Sequence, residues 1–379
     1  MWMVFREFLW LGCVSFGGPA AHVGYFHRRF VATLGWLDEA AFARLMALSQ
    51  FLPGPASSQL GFAIGRHRAG LAGAVAAFVG FTLPSFLLML ALALYATHLP
   101  GAVLAGLVQG LKWLAVVVVA DAVLTLGGKF CRDHLTLALA LLTAASLWLW
   151  PGIATQLVAL LAAALIGQAY RRGGQGEPAT GTVTPRRWPL LAFALIWALL
   201  WLWPGDGLAR LAGDFYSAGA LVFGGGHVVL PLLQGLVGER LGEDAFLTGY
   251  AAAQAVPGPM FSLSAYLGAL LVPAAPWLGA LTATLAIFLP GFLLVLGLGD
   301  AWQRLATRPA LAGAVTGINA AVVGLLLAAL YDPVFRSAVH GGLDLVWVGV
   351  GVLLLRSGRV PLVWLVVGMA VLGLVVEVL

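Results

Sequence analysis

Apolar stretches of about 20 residues, the length that crosses a hydrocarbon layer, recur from the first residues to the last with one long polar interruption. The pattern predicts helical segments near 4–24, 40–64, 70–97, 101–127, 134–150 and 152–170, then 188–203, then 211–231, 245–270, 276–299, 308–331, 341–355 and 360–378. That is an all-α polytopic membrane protein of about thirteen segments, two of which carry a Pro-Gly-Pro run and either cross or re-enter on the same face. The interruption RRGGQGEPATGTVTPRR, residues 171–187, has no apolar period and reads as a linker. The expected organisation is a first repeat over 1–170, a basic linker plus one extra membrane segment over 171–210, and a second repeat over 211–379.

The repeat expectation rests on landmarks that recur in one order on both sides of the linker. FGG begins at Phe16 and Phe223, PGP at Pro53 and Pro257, LP followed by an aromatic or its neighbour stands at Pro84 and Pro290, and LAG begins at Leu104 and Leu311. Phe16 precedes Pro53 by 37 residues and Phe223 precedes Pro257 by 34. Six segments plus one before the second repeat is an odd number, so the second repeat is expected to start from the opposite face, an inverted topology of the kind that places a binding site between halves near the midplane. Basic segments around Arg66 and Arg68, Lys129 and Arg132, Arg171 to Arg187, Arg304 and Arg308, and Arg356 and Arg359 then share one face, which is expected to be cytoplasmic. One loop disagrees: Arg28, Arg29 and Arg44 outweigh Asp38 and Glu39 on the face expected to be external.

Composition agrees with a membrane protein and narrows the function. Hydrophobic residues make up 61% of the chain and charged residues 9%, against about a quarter charged in soluble domains. The net charge of +5 is spread along the chain without a basic patch for nucleic acid. Cys13 and Cys131 offer neither a disulfide framework nor metal-ligand spacing, so no metal and no cofactor is expected. The N-terminal apolar run has no cleavage signature and reads as a retained helix. Trp148, Trp150, Trp201 and Trp203 stand at segment ends as interfacial anchors. GxSxG, HExxH, the Walker lysine and paired carboxylates within the apolar runs are all missing, so no enzyme activity is expected.

The candidate chemistry lies at the interruptions. In SQFLPGPASSQLGFAIG and AAQAVPGPMFSLSAYLG, two prolines remove two amide donors and leave either a kink or a true break; the presence of both motifs at equivalent positions favours the break. The half-helix after each break is expected to start near Ala56 and Met260, with free amides and a positive dipole end that favour an anion. Pro53, Gly54, Pro55, Ser57, Ser58 and Gln59 in one half, and Pro257, Gly258, Pro259, Ser262 and Ser264 in the other, are the expected contacts. SFGGPAAH and VFGGGH align and both end in histidine. Gly17, Gly18, Gly224 and Gly225 either let helices pack closely or open backbone amides to a ligand, and His22 and His227 read as donors, proton carriers or plain packing residues. Lys112 is the only lysine deep in an apolar run, with Asp121 nine residues on. Such groups are costly in hydrocarbon and mark pathways, so Lys112 is expected either to neutralise the substrate or to form a structural bridge with a carbonyl or Asp121, and Asp121 is a candidate for ion coupling.

On SFGGPAAH, WLDEAAF and LPGP in the first half, and FGGGHVVLPLL and GYAAAQAVPGP with the trailing AYLG in the second, the chain resembles the chromate ion transporter family in its long, two-domain form. The likeness spans essentially the whole chain. It departs at ASSQLGFAIG after the first PGP, where a more polar or acidic run before a tyrosine is usual, which bears on substrate preference more than on fold. The resemblance implies export of chromate, with sulfate as the related anion, across the cytoplasmic (inner) membrane. A dianion leaving an inside-negative cell gains about 4.6 kcal/mol per 100 mV. The partners expected are that anion, the lipid bilayer and, as an option, a second copy of the chain. Two rivals stay open: a carrier or channel for another small anion, and a membrane enzyme acting on a phosphorylated lipid. The second predicts clustered acidic residues beside an arginine at the breaks, and the sequence has none.

Overall fold

Proline and glycine end the helices where the apolar runs would otherwise continue. A computed structural model describes residues 1–95, 101–170, 185–202, 205–223, 229–302 and 308–378, and the regular structure among them is helical. Helix α1 (Trp2–Val14) stops before Gly17 and Gly18, whose φ angles of 98° and 74° break the run. Helix α2 (Gly18–Phe26), prolonged by wide π-type turns over His27–Thr33, then returns. Its far end meets the start of α1: Arg29 Nε and Nη2 donate to the buried Glu7 carboxylate at 2.8 and 2.6 Å, and the Phe8 and Phe30 rings stack at 4.8 Å. The FGG segment is therefore the tip of a hairpin.

The PGP segment is a second tip. Asp38 caps α3 (Glu39–Phe51) by accepting from the Ala41 amide at 2.6 Å, and α3 ends just before Pro53. Helix α4 (Ala56–Tyr95) follows, interrupted by non-helical dihedrals at Ala69 and Gly70. Its first arm, 56–68, brings Arg68 over the Trp36 ring at 5.4 Å. Trp36 precedes α3, so the chain has doubled back at the break. Along the two arms of α4, a Cβ on Gly65 would overlap the Gly73 carbonyl, which places their backbones in contact.

Helices α5 (Gly101–Phe130), α6 (His134–Leu149), α7 (Ile153–Tyr170) and α8 (Arg187–Leu202) follow, and then the pattern returns. Helix α9 (Leu208–Leu221) leads to the second FGG; α10 (Val229–Leu233) returns through further turns to Arg240, which pairs with Asp214 of α9. Helix α11 (Glu243–Ala255) runs to the second PGP, a short 3-10 turn at Met260–Ser262 opens α12 (Leu263–Leu271), and α13 (Pro276–Leu298) packs Gly279 on Gly268 as Gly73 packs on Gly65. Helices α14 (Pro309–Ala329), α15 (Gly342–Arg356) and α16 (Leu362–Val378) complete the chain. Among the described residues, five helical runs are long and apolar enough to cross a membrane: α4, α5, α7, α13 and the stretch 309–338 that contains α14.

The halves are interlocked. Helix α5 packs on α15 and α16, while α14 packs on α6 and α7, so each half lends a long helix to the other's terminal pair. Small residues make this possible, because lipid supplies no hydrophobic drive between helices and close backbone contact must replace it. Gly106 and Gly110 meet Gly373, Leu374 and Met369, and Gly313 and Gly317 meet Gly167 and Ala163. LAGLVQG and LAGAVTG are the same small-xxx-small device in two copies. Replacing Gly317 by Leu is expected to destabilise the protein by about 1–3 kcal/mol through overpacking, whereas Gly349→Ala, where a Cβ meets nothing, is expected to be neutral. Thermal unfolding of the two variants in detergent checks this.

Candidate anion site

Each Pro-Gly-Pro run leaves one amide, and each finds its acceptor in the opposite half. Gly54 N donates to Val222 O at 2.7 Å and Gly258 N donates to Ser15 O at 2.9 Å. Val222 and Ser15 are the residues immediately before the two FGG segments, so the FGG tip of one half clamps the PGP tip of the other, twice. Only glycine fits: φ is 122° at Gly54 and 100° at Gly258. A Cβ there would stand 3.1 Å from Gly291 Cα in the first case, and 3.1 Å from Phe81 O and Ser85 Oγ in the second. Gly291 and Ser85 directly follow the helix-interior prolines Pro290 and Pro84, so the proline bend of each half also abuts the other half's break.

The start of α4 carries the richest polar lining. His22, 1% exposed, holds Ser57 Oγ through Nδ1 and Ser15 O through Nε2, both at 3.2 Å. Gln59 Nε2 donates to Pro53 O at 2.8 Å and Gly291 O at 3.2 Å, crossing to the other half. Four buried polar atoms here have no partner: Ser15 Oγ, Ser58 Oγ, Gln59 Oε1 and Ser262 Oγ. A buried hydroxyl left unpaired costs about 1–3 kcal/mol, and the three orphan hydroxyls near the two helix starts are donors without acceptors. Ser58 and Ser262 each lie three residues beyond Pro55 and Pro259.

The structure gathers His22, Pro53, Gly54, Pro55, Ser57, Ser58 and Gln59 around the first break and Pro257, Gly258, Pro259 and Ser262 around the second; Gly17 and Gly18 form the hairpin tip after Ser15, and a Cβ on Gly18 would meet nothing. Ser264 turns away, donating to Phe261 O at 2.7 Å with Thr284 Oγ1 at 3.2 Å. Gly224, Gly225 and His227 lie outside the described residues. Lys112 is not at the breaks: it is buried, and Nζ pairs with Asp244, in the first turn of α11 and about 20 Å along that helix from Pro257. The bridge to Asp121 is not formed either, since Asp121 accepts from Arg356 at 3.2 Å. The reason is register: Lys112 lies a third of the way along α5, level with Ala338, whose carbonyl accepts from Gln109 and Trp113 at 2.8 and 3.1 Å. Ser15 and Ser85 were not expected at the site, though each adjoins a landmark, as SFGG and LPS.

Long apolar helices interrupted by broken segments define a multi-pass membrane protein. The chain belongs to the chromate transporter family: the family's sequence model, Chromate transporter, matches residues 2–168 and 209–374. It is therefore a transport protein and not an enzyme. It is 28% identical to a chromate transport protein of Cupriavidus metallidurans, over 97% of this chain and 91% of that protein. It is also 28% identical to a probable chromate transport protein of Synechococcus elongatus, over 86% of this chain and 82% of the other, and to a chromate transport protein of Pseudomonas aeruginosa over 87% and 80%. No solved structure matches. For the orphan hydroxyl of Ser262, replacement by Ala is expected to leave Tm unchanged or raised while weakening anion binding by about ten- to a hundredfold, the worth of one hydrogen bond to a charged group; thermal unfolding and anion titration on one preparation read both.

Proposed function

We propose that this protein exports chromate, with sulfate as a competing substrate, holding the dianion between the two PGP breaks. The observation that carries this reading is the set of buried, unpaired hydroxyls of Ser15, Ser58 and Ser262, near helix starts at Ala56 and Met260. A tetrahedral oxyanion accepts several hydrogen bonds at once, and helix N-termini supply partial positive charge without a buried cation. The names of the Cupriavidus and Pseudomonas relatives point to the same substrate.

The contacts at helix ends support two inverted repeats, residues 1–170 and 211–379, joined through α8. One face would hold the Glu7–Arg29 pair, Trp36 under Arg68, the Arg66–Asp300–Arg186 cluster and the Asp121–Arg356 pair. The other would hold Asp214 with Arg240, Lys112 with Asp244, the Ala338 carbonyl with Gln109, and the Trp148–Tyr331 ring contact. On this reading the first two hairpins enter from one face and the second two from the other. The second arm of α4 and helices α5, α6, α7, α8, α13, α14, α15 and α16 then make nine crossings, and four hairpins account for the remaining segments. Arg28 and Arg29 move onto the face that carries Arg66, Arg68, Lys129, Arg132, Arg186, Arg187, Arg308, Arg356 and Arg359. The loop that contradicted the positive-inside rule then obeys it, and that face is assigned to the cytoplasm. A cavity of about 480 Å³ between α2 and α3, with Arg28 and the His27–Glu39 pair in its lining, gives the anion an approach from that side.

Export along the membrane potential needs no further energy source, since a dianion gains about 4.6 kcal/mol per 100 mV. Reconstituted in liposomes, the purified chain is expected to carry chromate at a rate that rises with a potential drawing anions across and falls with added sulfate; flux indifferent to either would reject the proposal. The topology is checked separately. In a chain lacking Cys13 and Cys131, Thr33→Cys and His340→Cys are expected to react with a membrane-impermeant maleimide from opposite sides, and reaction from one side would overturn the inverted arrangement.

A further inference from the structure

Both ring nitrogens of His22 are engaged, and their partners dictate where the hydrogens go. Ser15 O is a carbonyl and only accepts, so Nε2 carries a hydrogen. In the neutral ring Nδ1 is then bare and accepts from Ser57 Oγ, which turns the single hydroxyl hydrogen of Ser57 toward the ring. A second proton, on Nδ1, reverses that bond: the ring donates to Ser57 and the hydroxyl hydrogen is released. Ser57 is the second residue of α4, so the released hydrogen belongs to the first turn after the Pro53–Pro55 break.

We infer that His22 couples proton uptake to anion binding by switching Ser57 from donating to the imidazole to donating to the anion. The inference rests on the reading above that the oxyanion sits at the start of α4. In the neutral state Ser57 presents the anion with lone pairs only. With Nδ1 protonated it presents a hydrogen, and the imidazolium places a positive charge one hydrogen bond away. Affinity for the anion and affinity for the proton therefore rise together and by the same factor. One proton enters with the anion from the loading side and leaves with it on the other, while Ser57 keeps its own hydrogen throughout. A dianion carried in this way moves one net charge instead of two.

Among the described residues, nothing else around His22 takes over this role. From α1 and its end comes Ser15, and from α4 come Ser57 and the Phe81 ring, edge-on at 5.2 Å; none of them titrates near neutral pH. On the same hairpin Arg29 is bonded to Glu7, and His27 to Glu39 of α3. The Ser15 carbonyl that holds Nε2 also accepts from Gly258 N, so the ring is keyed to the clamp on the second half.

The test compares chromate affinity of wild type, His22→Gln and Ser57→Ala from about pH 8 down to about pH 5. Gln keeps an amide donor for Ser15 O and does not titrate. Chromate itself gains a proton in this range, so the readout is each variant's dissociation constant divided by that of wild type at the same pH. Both ratios are expected to grow as pH falls, by at most about tenfold per pH unit for one coupled proton. A ratio for His22→Gln that is flat with pH would overturn the coupling, and a flat ratio for Ser57→Ala would overturn the route through Ser57. Failure of wild type to bind chromate at any pH would instead sink the underlying assignment of the anion.

Discussion

A backbone amide in hydrocarbon has no water to turn to, and an unmet one costs several kcal/mol. The fold is organised around that constraint at two points. Each Pro-Gly-Pro run breaks its helix and leaves Gly54 N or Gly258 N without an intrahelical partner, and each amide is met by a carbonyl that the opposite half frees by its own break, at Val222 or Ser15. Four interruptions, each untenable alone, satisfy one another in two pairs. Neither half can be assembled at its centre without the other, and the swapped packing of α5 and α14 extends the same dependence to the periphery.

Meeting the breaks in this way sets the electrostatics of the centre. Four of the cationic side chains are engaged in ion pairs: Lys112 with Asp244, Arg29 with Glu7, and Arg66 and Arg186 with Asp300. The breaks are left with dipoles, hydroxyls and the His22 imidazole. A permanent full positive charge at that depth would bind a dianion strongly and release it slowly, as well as being costly when empty. Partial charges at helix starts and orphan hydroxyls cost less without a ligand and hold it less tightly with one, which suits a carrier more than a storage site.

Much of this was legible in the sequence. FGG, PGP, LP and LAG announced two copies of one plan, and the helix starts at Ala56 and Met260 followed from proline chemistry alone. What the apolar pattern did not reveal is direction. A run of about 25 apolar residues fits a full crossing or two half-length arms equally well, and only the meeting of Arg68 with Trp36, or Arg29 with Glu7, distinguishes them. Lys112 was misplaced for a related reason: its depth was read from its own helix, while its partner Asp244 stands at a helix start 132 residues away. The LAG landmark was visible, but its meaning lay in the glycine four residues after its own, which completes the small-xxx-small spacing at Gly106 and Gly110 and at Gly313 and Gly317.

The two breaks share a backbone clamp and differ in side chains, and the difference has a direction. Gln59, which ties Pro53 O to Gly291 O, has the apolar Leu263 at the matching distance beyond the second PGP. Ser57, bonded to His22, has Phe261 there, and Lys112 corresponds to Asn319. The backbone clamps must match, because both breaks pose the same hydrogen-bonding problem. The side chains need not, because a ligand approaching from either end meets a different surface. Polar side chains are more numerous at the first half's break, while the second supplies the Ser262 hydroxyl and shape, through the Phe261, Phe288 and Phe292 rings. Because the clamps are made by backbone atoms, side chains beside either break can change while the Gly54–Val222 and Gly258–Ser15 bonds hold the breaks closed.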